Sequence, residues 1–223
     1  MVLLNPTIGV DLVTGGRLNI TNLRGQPISE GVIVQQATDL IRIRDVHFWP
    51  FWSINEGVLD YQLKTTIGFK IGRCDNPVFD GLFTIGYFVG MELYQASVLV
   101  SGNNVSAAIT NMSSQGKFDD ISLVYSLLQI NGSGADIALT NADLRFCTAN
   151  AIRNQGSGSI LNASNVSIAA WNYSNAGYLG IESAVSDAEI YLDKKPNILV
   201  GSPHATAFAG GVGTVKIPLT SGS

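Results

Sequence analysis

Hydrophobic and polar residues alternate with a period of two in short runs spread along the chain. Four of these runs are Leu40–Arg44, Ile67–Ile71, Asp136–Leu139 and Ala188–Leu192. Such alternation is typical of β-strands that bury one face, and few segments show a competing helical period. Clusters of Gly, Asn, Asp and Ser, such as Asn131–Gly134, separate the runs and predict turns. The pattern therefore predicts an all-β protein.

Similar residues recur at an offset of about 22, a period at which sequence repeats indicate solenoids. Gly68–Ile71 recurs as Gly90–Leu93, and Ile137 with Leu139 map onto Ser159 with Leu161. The same offset predicts a polar turn column of Asp143, Asn165 and Asp187, and an apolar column of Phe146, Ile168 and Ile190. These repeats favour a single-stranded parallel β-helix with rungs of about 22 residues, whereas a β-sandwich is the alternative with many short strands.

The columns also predict which residues point into the core of the β-helix. They are Ile137, Leu139, Phe146, Leu161, Val166, Ile168, Ile181 and Ile190. We expect the β-helix to span residues 1–200 and an extended C-terminal tail to span residues 201–223.

Composition narrows the classes of partner. The net charge is -4 and only 13% of the 223 residues are charged, too few for a basic stripe that neutralises many phosphates. Nucleic acid is therefore not an expected partner. No apolar run approaches the roughly 20 residues of a membrane-spanning helix, so we expect no membrane insertion. Two Cys and two His without metal-ligand spacing predict no metal site, and no cofactor is expected.

The segment His47–Trp52 carries the most chemical information in the sequence. Trp49 and Trp52 offer aromatic faces for sugar rings, and with His47 and Arg73 they form the candidate substrate-binding set. The alternative is that the cluster plugs an end or a corner of the solenoid, since Trp and Phe bury large areas wherever a loop folds back.

Carboxylates in the same half are candidates for catalysis. Glycoside hydrolysis needs two of them about 5 to 10 Å apart, and Asp75, Asp80 and Glu92 are the candidate catalytic residues. Asp75-Asn76-Pro77 and Asp80-Gly81 are also ordinary turn sequences, so a purely structural role is the alternative.

Several segments between residues 19 and 93 resemble the rung pattern of pectate-lyase-like right-handed β-helix proteins of phage tailspikes and related virion appendages. These segments are Asn19–Gly25, Gly31–Val34, Asp39–Trp52, Thr66–Asn76 and Phe83–Leu93. The remaining chain is similar only in rung period and composition. The resemblance implies a right-handed β-helix, a parallel homotrimer, a location on the virion with other virion proteins as partners, and outer faces that bind host cell-surface polysaccharide.

Three functions follow from these observations. The chain is expected to be a virion appendage that recognises host polysaccharide, a polysaccharide hydrolase or lyase on the same scaffold, or a structural protein that decorates the particle. Because aromatic, basic and acidic residues concentrate in the first hundred positions, any saccharide site is expected there and the later rungs are expected to serve as scaffold.

Overall fold

The computed structural model shows an almost entirely β protein in which two long sheets consist of parallel strands. It describes residues 1–50, 52–53, 55–75, 77–95, 105–116, 125–194, 196–200 and 207–217. The statements below apply to these residues.

Sheet 1 contains eleven of the described strands and sheet 2 contains eight. The strands of sheet 1 are β1 (Val2–Leu3), β3 (Leu18–Gly25), β5 (Ile41–Phe48), β7 (Pro77–Ile85), β9 (Ser106–Thr110), β10 (Ser113–Gln115), β12 (Asp136–Arg145), β14 (Ile160–Ala169), β16 (Glu189–Leu192), β17 (Asn197–Val200) and β19 (Thr214–Lys216). The strands of sheet 2 are β2 (Ile8–Gly15), β4 (Glu30–Ala37), β6 (Ile67–Cys74), β8 (Val89–Leu93), β11 (Ser126–Ile130), β13 (Ile152–Asn154), β15 (Ile181–Ser183) and β18 (Ala209–Gly211).

The chain passes repeatedly between the two sheets. In the first rungs β2 and β4 pair in sheet 2, while β3 and β5 pair in sheet 1, and both pairings are parallel. The later described pairings are parallel as well, for example β12 with β14 and β13 with β15. The sheets of a β-sandwich are antiparallel, so this topology is compatible with a solenoid and not with the alternative of a sandwich.

The segment for which we expected an extended tail contains strands. Of residues 201–223 the structure describes 207–217, and these include β18 and β19. Strand β18 pairs with β15 in sheet 2, and β19 pairs with β16 in sheet 1.

The core lies between the sheets, where inward residues of successive rungs stack in columns. One column of sheet 2 contains Val32, Phe69, Met91, Leu128, Ile152 and Ile181, and each of them is fully buried. Seven of the eight residues predicted to face the core are buried. The exception is Phe146, which is half-buried because its left-handed backbone (φ 62°) breaks the alternation of the strand.

A constant offset of 22 residues is wrong for much of the chain. Val10 pairs with Val32 and Phe69 with Met91, both at 22 residues, and the second pair confirms the match of Gly68–Ile71 to Gly90–Leu93. Ile137, however, pairs with Leu161 at 24 residues, and Leu161 pairs with Ile190 at 29.

The two predicted columns are therefore wrong as well. Leu144 stacks on Ile168, not on Val166, and Asn141 stacks on Asn165. Asp143 instead pairs with Ser167, and Ile190 with Leu161. Turns of different length lie between strands that nevertheless stay in register, so a fixed period drifts out of step.

Several strands of sheet 1 bend at one position, where the backbone enters the left-handed region. The residues there stack from rung to rung and have φ between 51° and 64°: Asn22, Asp45, Gly81, Asn111, Asn141 and Asn165. Asn, Asp and Gly tolerate this conformation better than other residues. The bend divides the outer surface of sheet 1 into two faces.

The helix α1 (Glu56–Thr65) lies between β5 and β6 and was not predicted. Its N-cap is Asn55, whose side-chain oxygen accepts hydrogen bonds from the backbone N–H groups of Gly57 and Val58. Within the described chain no helix is long and apolar enough to cross a membrane.

Candidate functional site

The predicted aromatic cluster begins at the end of β5 and faces both ways. Phe48 is fully buried and packs against Phe69 with the ring centroids 5.3 Å apart, so this part of the cluster belongs to the core. His47 and Trp49 are half-buried, and Trp52 is 38% exposed. Phe51 lies outside the described residues. Because successive side chains of a strand point to opposite faces, the segment supplies both a core plug and an outer aromatic surface.

His47 lies at the centre of the outer aromatic surface. The centroid of its ring is 4.5 Å from that of Trp49 and 4.2 Å from that of Phe83, which meets it edge to face. The ring of Trp52 extends the row, with its centroid 6.5 Å from that of Trp49. Parallel pairing fixes part of this arrangement, because Arg24, His47 and Phe83 occupy equivalent positions in β3, β5 and β7.

An open cleft of about 280 Å³ lies against this row. We call it the His47 cleft, and it is lined by Asn22, Arg24, Asp45, Val46, His47, Gly81 and Phe83. Asn22, Asp45 and Gly81 belong to the left-handed column at the bend of sheet 1. The bend therefore brings an amide and a carboxylate next to an aromatic and basic surface.

Burial lowers the pKa of His47, and the positive charge of Arg24 lowers it further. The imidazole is therefore neutral at pH 7, where one ring nitrogen is a donor and the other an acceptor. Its Nε2 atom is buried and has no hydrogen-bond partner among the described residues. Arg24 and Asp45 are both exposed, so the cleft presents one cation and one anion at its surface.

The three candidate catalytic carboxylates do not lie in this cleft, and the structure does not bring them together as a pair. Asp80 belongs to β7 in sheet 1, Glu92 belongs to β8 in sheet 2, and Asp75 follows β6. Glu92 accepts a hydrogen bond of 2.6 Å from the side chain of Asn131. Asp75 forms an ion pair with Arg73, with the Oδ1 and Nε atoms 3.6 Å apart.

Asp80 is held by two donors from the next rung. Its Oδ1 atom accepts hydrogen bonds from Thr110 Oγ1 at 2.8 Å and from Asn111 Nδ2 at 2.7 Å. The hydrogen bond from Thr110, followed by that from Asn111, lowers the pKa of Asp80. An acid that donates a proton at neutral pH needs a raised pKa, so this environment suits a structural carboxylate.

Arg73, a candidate for substrate binding, lies in β6 of sheet 2 and does not line the His47 cleft. The residues that sequence reasoning missed are Arg24, Asp45 and Phe83. A signal for two of them was present, since Asn22-Leu23-Arg24 and Asp45-Val46-His47 are equivalent segments 23 residues apart.

Comparison with protein-family models, with curated proteins and with solved structures finds no match to this chain. Within the described part of the chain, no group of three or more His, Cys, Asp or Glu side chains is arranged to hold a metal ion. The site is therefore interpreted from its own geometry.

Proposed function

We propose that this chain is a right-handed parallel β-helix that recognises polysaccharide, and that the His47 cleft with its aromatic row forms the binding site. The observation that carries the proposal is the meeting of His47, Trp49 and Phe83 beside an open cleft. Right-handedness is supported by the rule that crossovers between parallel strands of one sheet are right-handed in about 98% of cases.

The chemistry of the cleft suits a sugar. Aromatic rings provide flat apolar surface for the C–H faces of a pyranose ring, and a few placed polar groups then fix its orientation. Asn22 offers an amide, Asp45 offers acceptors for hydroxyl groups, and Arg24 offers a planar set of donors. An open cleft, as opposed to an enclosed pocket, accommodates one segment of a polymer whose two ends continue into solvent.

We further propose that the protein is a virion appendage that binds polysaccharide on the host cell surface. This part is supported by the resemblance of the segments between residues 19 and 93 to tailspike β-helices. Binding is favoured over cleavage because Asp80 and Glu92 belong to different sheets and each accepts a hydrogen bond from a neighbouring amide.

The experiment is a bacterial glycan array probed with the parent chain, with Trp52→Ala and with Tyr191→Ala. Trp52 is 38% exposed beside the cleft, whereas Tyr191 belongs to β16 in the later rungs and is the matched aromatic control. We expect the parent to bind a defined set of glycans, Trp52→Ala to lose at least about tenfold in affinity, and Tyr191→Ala to bind like the parent. The proposal is wrong if the parent binds no glycan or if Trp52→Ala binds as the parent does.

A further inference from the structure

Two glutamines that are completely buried connect the aromatic segment to the rest of the fold. Gln26 follows β3 and Gln62 lies in α1, and neither side chain has any exposed surface. Gln26 Nε2 donates a hydrogen bond of 3.3 Å to Gln62 Oε1, and Gln62 Nε2 donates one of 3.0 Å to the backbone carbonyl of Gly86.

The oxygen of Gln26 holds the aromatic segment directly. Gln26 Oε1 accepts hydrogen bonds from the backbone N–H groups of Trp52, at 2.9 Å, and of Ser53, at 2.7 Å. Because both partners are donors, the amide oxygen must face them, and the amide NH₂ group must then face Gln62. The orientation of each amide is thus fixed by its partners.

A buried amide is costly unless it is hydrogen-bonded, with a penalty of about 1 to 3 kcal/mol in proteins. Apolar side chains would fill the same space without that risk. Only the satisfied amides, however, can bind the N–H groups of a segment that follows no strand at this point. The pair therefore gives Trp52 a fixed backbone, although Trp52 is the most exposed of the described aromatic residues in the cluster.

We infer that Gln26 and Gln62 are positioning residues that hold Trp52 in its binding orientation and thereby set the affinity of the saccharide site. The inference rests on the proposed function for its second half only, because the orientation of Trp52 can be measured without a glycan. Holding a side chain in place before the ligand arrives reduces the entropy lost on binding.

The test uses the full chain labelled with 5-fluorotryptophan, whose ¹⁹F signals are assigned with single Trp→Phe variants. Gln26→Met removes the hydrogen bonds at similar volume, and Asn154→Leu does the same for a completely buried amide in the later rungs. We expect Gln26→Met to shift or broaden the Trp52 signal and to raise its sensitivity to D₂O, and to leave the Trp171 signal unchanged. Asn154→Leu should lower the melting temperature without moving the Trp52 signal.

The binding measurement uses the glycan that the parent selects on the array. We expect Gln26→Met to bind it roughly tenfold more weakly, Gln26→Glu to recover part of the affinity because its carboxyl oxygen still accepts both N–H groups, and Asn154→Leu to bind like the parent. If Gln26→Met does not fold, Gln62→Met serves in its place.

An unchanged Trp52 signal in the glutamine variant overturns the positioning role. A changed signal with parental affinity overturns the claim that the pair sets affinity. A parent that binds no glycan instead refutes the proposed function, and this outcome is visible before any variant is made.

Discussion

Asp80 is the last acceptor in a chain of side-chain hydrogen bonds that crosses four rungs. Asn165 donates to Asn141 at 2.7 Å, Asn141 donates to Asn111 at 3.2 Å, and Asn111 donates to Asp80 at 2.7 Å. All three amides donate in the same direction, so each bond polarises the next. A carboxylate is a suitable final acceptor, because hydrogen bonds to ionised groups are stronger than those between neutral groups.

We therefore expect Asp80→Asn to lower the free energy of unfolding by about 1 kcal/mol at pH 7. The pKa of Asp80 is lower in the folded protein than its ordinary value, so its contribution is present at neutral pH. That contribution is lost as the pH falls below about 4, where the carboxylate is protonated in both states. Urea denaturation at several pH values should show the difference between parent and variant shrinking on acidification.

Asp136→Asn is the matched control, since it neutralises an exposed carboxylate on the same sheet. Its unfolding free energy should stay within about 0.5 kcal/mol of the parent. A difference for Asp80→Asn that is the same at pH 7 and at pH 3 would contradict the role of the charge.

At the scale of single residues, alternation alone predicted burial well. Ile137, Leu139 and Leu161 are fully buried as expected, because a period of two is a local property of a strand. Phe146 was missed because one left-handed residue at the end of β12 turns its side chain out of the pattern. That conformation cannot be read from a Phe, which adopts it rarely.

At the scale of the element, the bend of sheet 1 depends on residues that tolerate positive φ. Asn141 has φ 57° within β12, and its neighbours in the column are Asn111 and Asn165. Gly81 occupies an equivalent position, which indicates that the backbone conformation is required there and a particular side chain is not. The hydrogen bonds between the amides add to this requirement.

We expect Asn141→Val to lower the free energy of unfolding by about 1 to 3 kcal/mol, because a β-branched residue is strained at positive φ. Asn141→Gly should cost less, since it loses the hydrogen bonds of the amide and keeps the backbone conformation. Asn162→Val is the control: Asn162 is exposed on β14 and lies outside the left-handed column. Chemical denaturation of the three variants checks the order, and equal losses for Asn141→Val and Asn162→Val would contradict it.

Strands and turns of individual rungs were predictable, but the spacing between rungs was not. A strand needs a fixed set of inward positions, whereas the turn that follows it extends into solvent and can vary in length. The step from Ile41 to Pro77, which are paired, spans 36 residues because α1 is inserted there. The signals for this helix were Asn55 as N-cap, Glu56 in the first turn and Lys64 in the last.

At the scale of the whole molecule, the candidate site combines residues from three rungs. His47 and Trp49 stood out in the sequence because aromatic residues rarely cluster so densely. Arg24 and Phe83 did not, because each is an ordinary strand residue that becomes part of the site only through the parallel register with His47. The register depends on turn lengths, so the composition of the cleft followed from the fold and not from any local motif.

The open cleft has a consequence for how the molecule attaches to a surface. A cleft of about 280 Å³ covers little of a polysaccharide, so we expect each site to bind weakly. Linked copies of a weak site can exceed the affinity of one site by about 10² to 10⁴. The resemblance to tailspike β-helices predicts a parallel homotrimer, which would place three such sites side by side.

We therefore expect a trimer in dilute solution, with a mass three times that of the 23.7 kDa chain in light scattering. A surface coated densely with the selected glycan should retain the protein far longer than a sparse coating does, because rebinding through a second or third site is then possible. A soluble oligosaccharide should compete only at concentrations near the dissociation constant of a single site. The control is Trp52→Ala, which should keep the trimeric mass and lose retention at both densities. A stable monomer would contradict the prediction, and a monomer that nevertheless distinguishes the two densities would show that the gain arises within one chain.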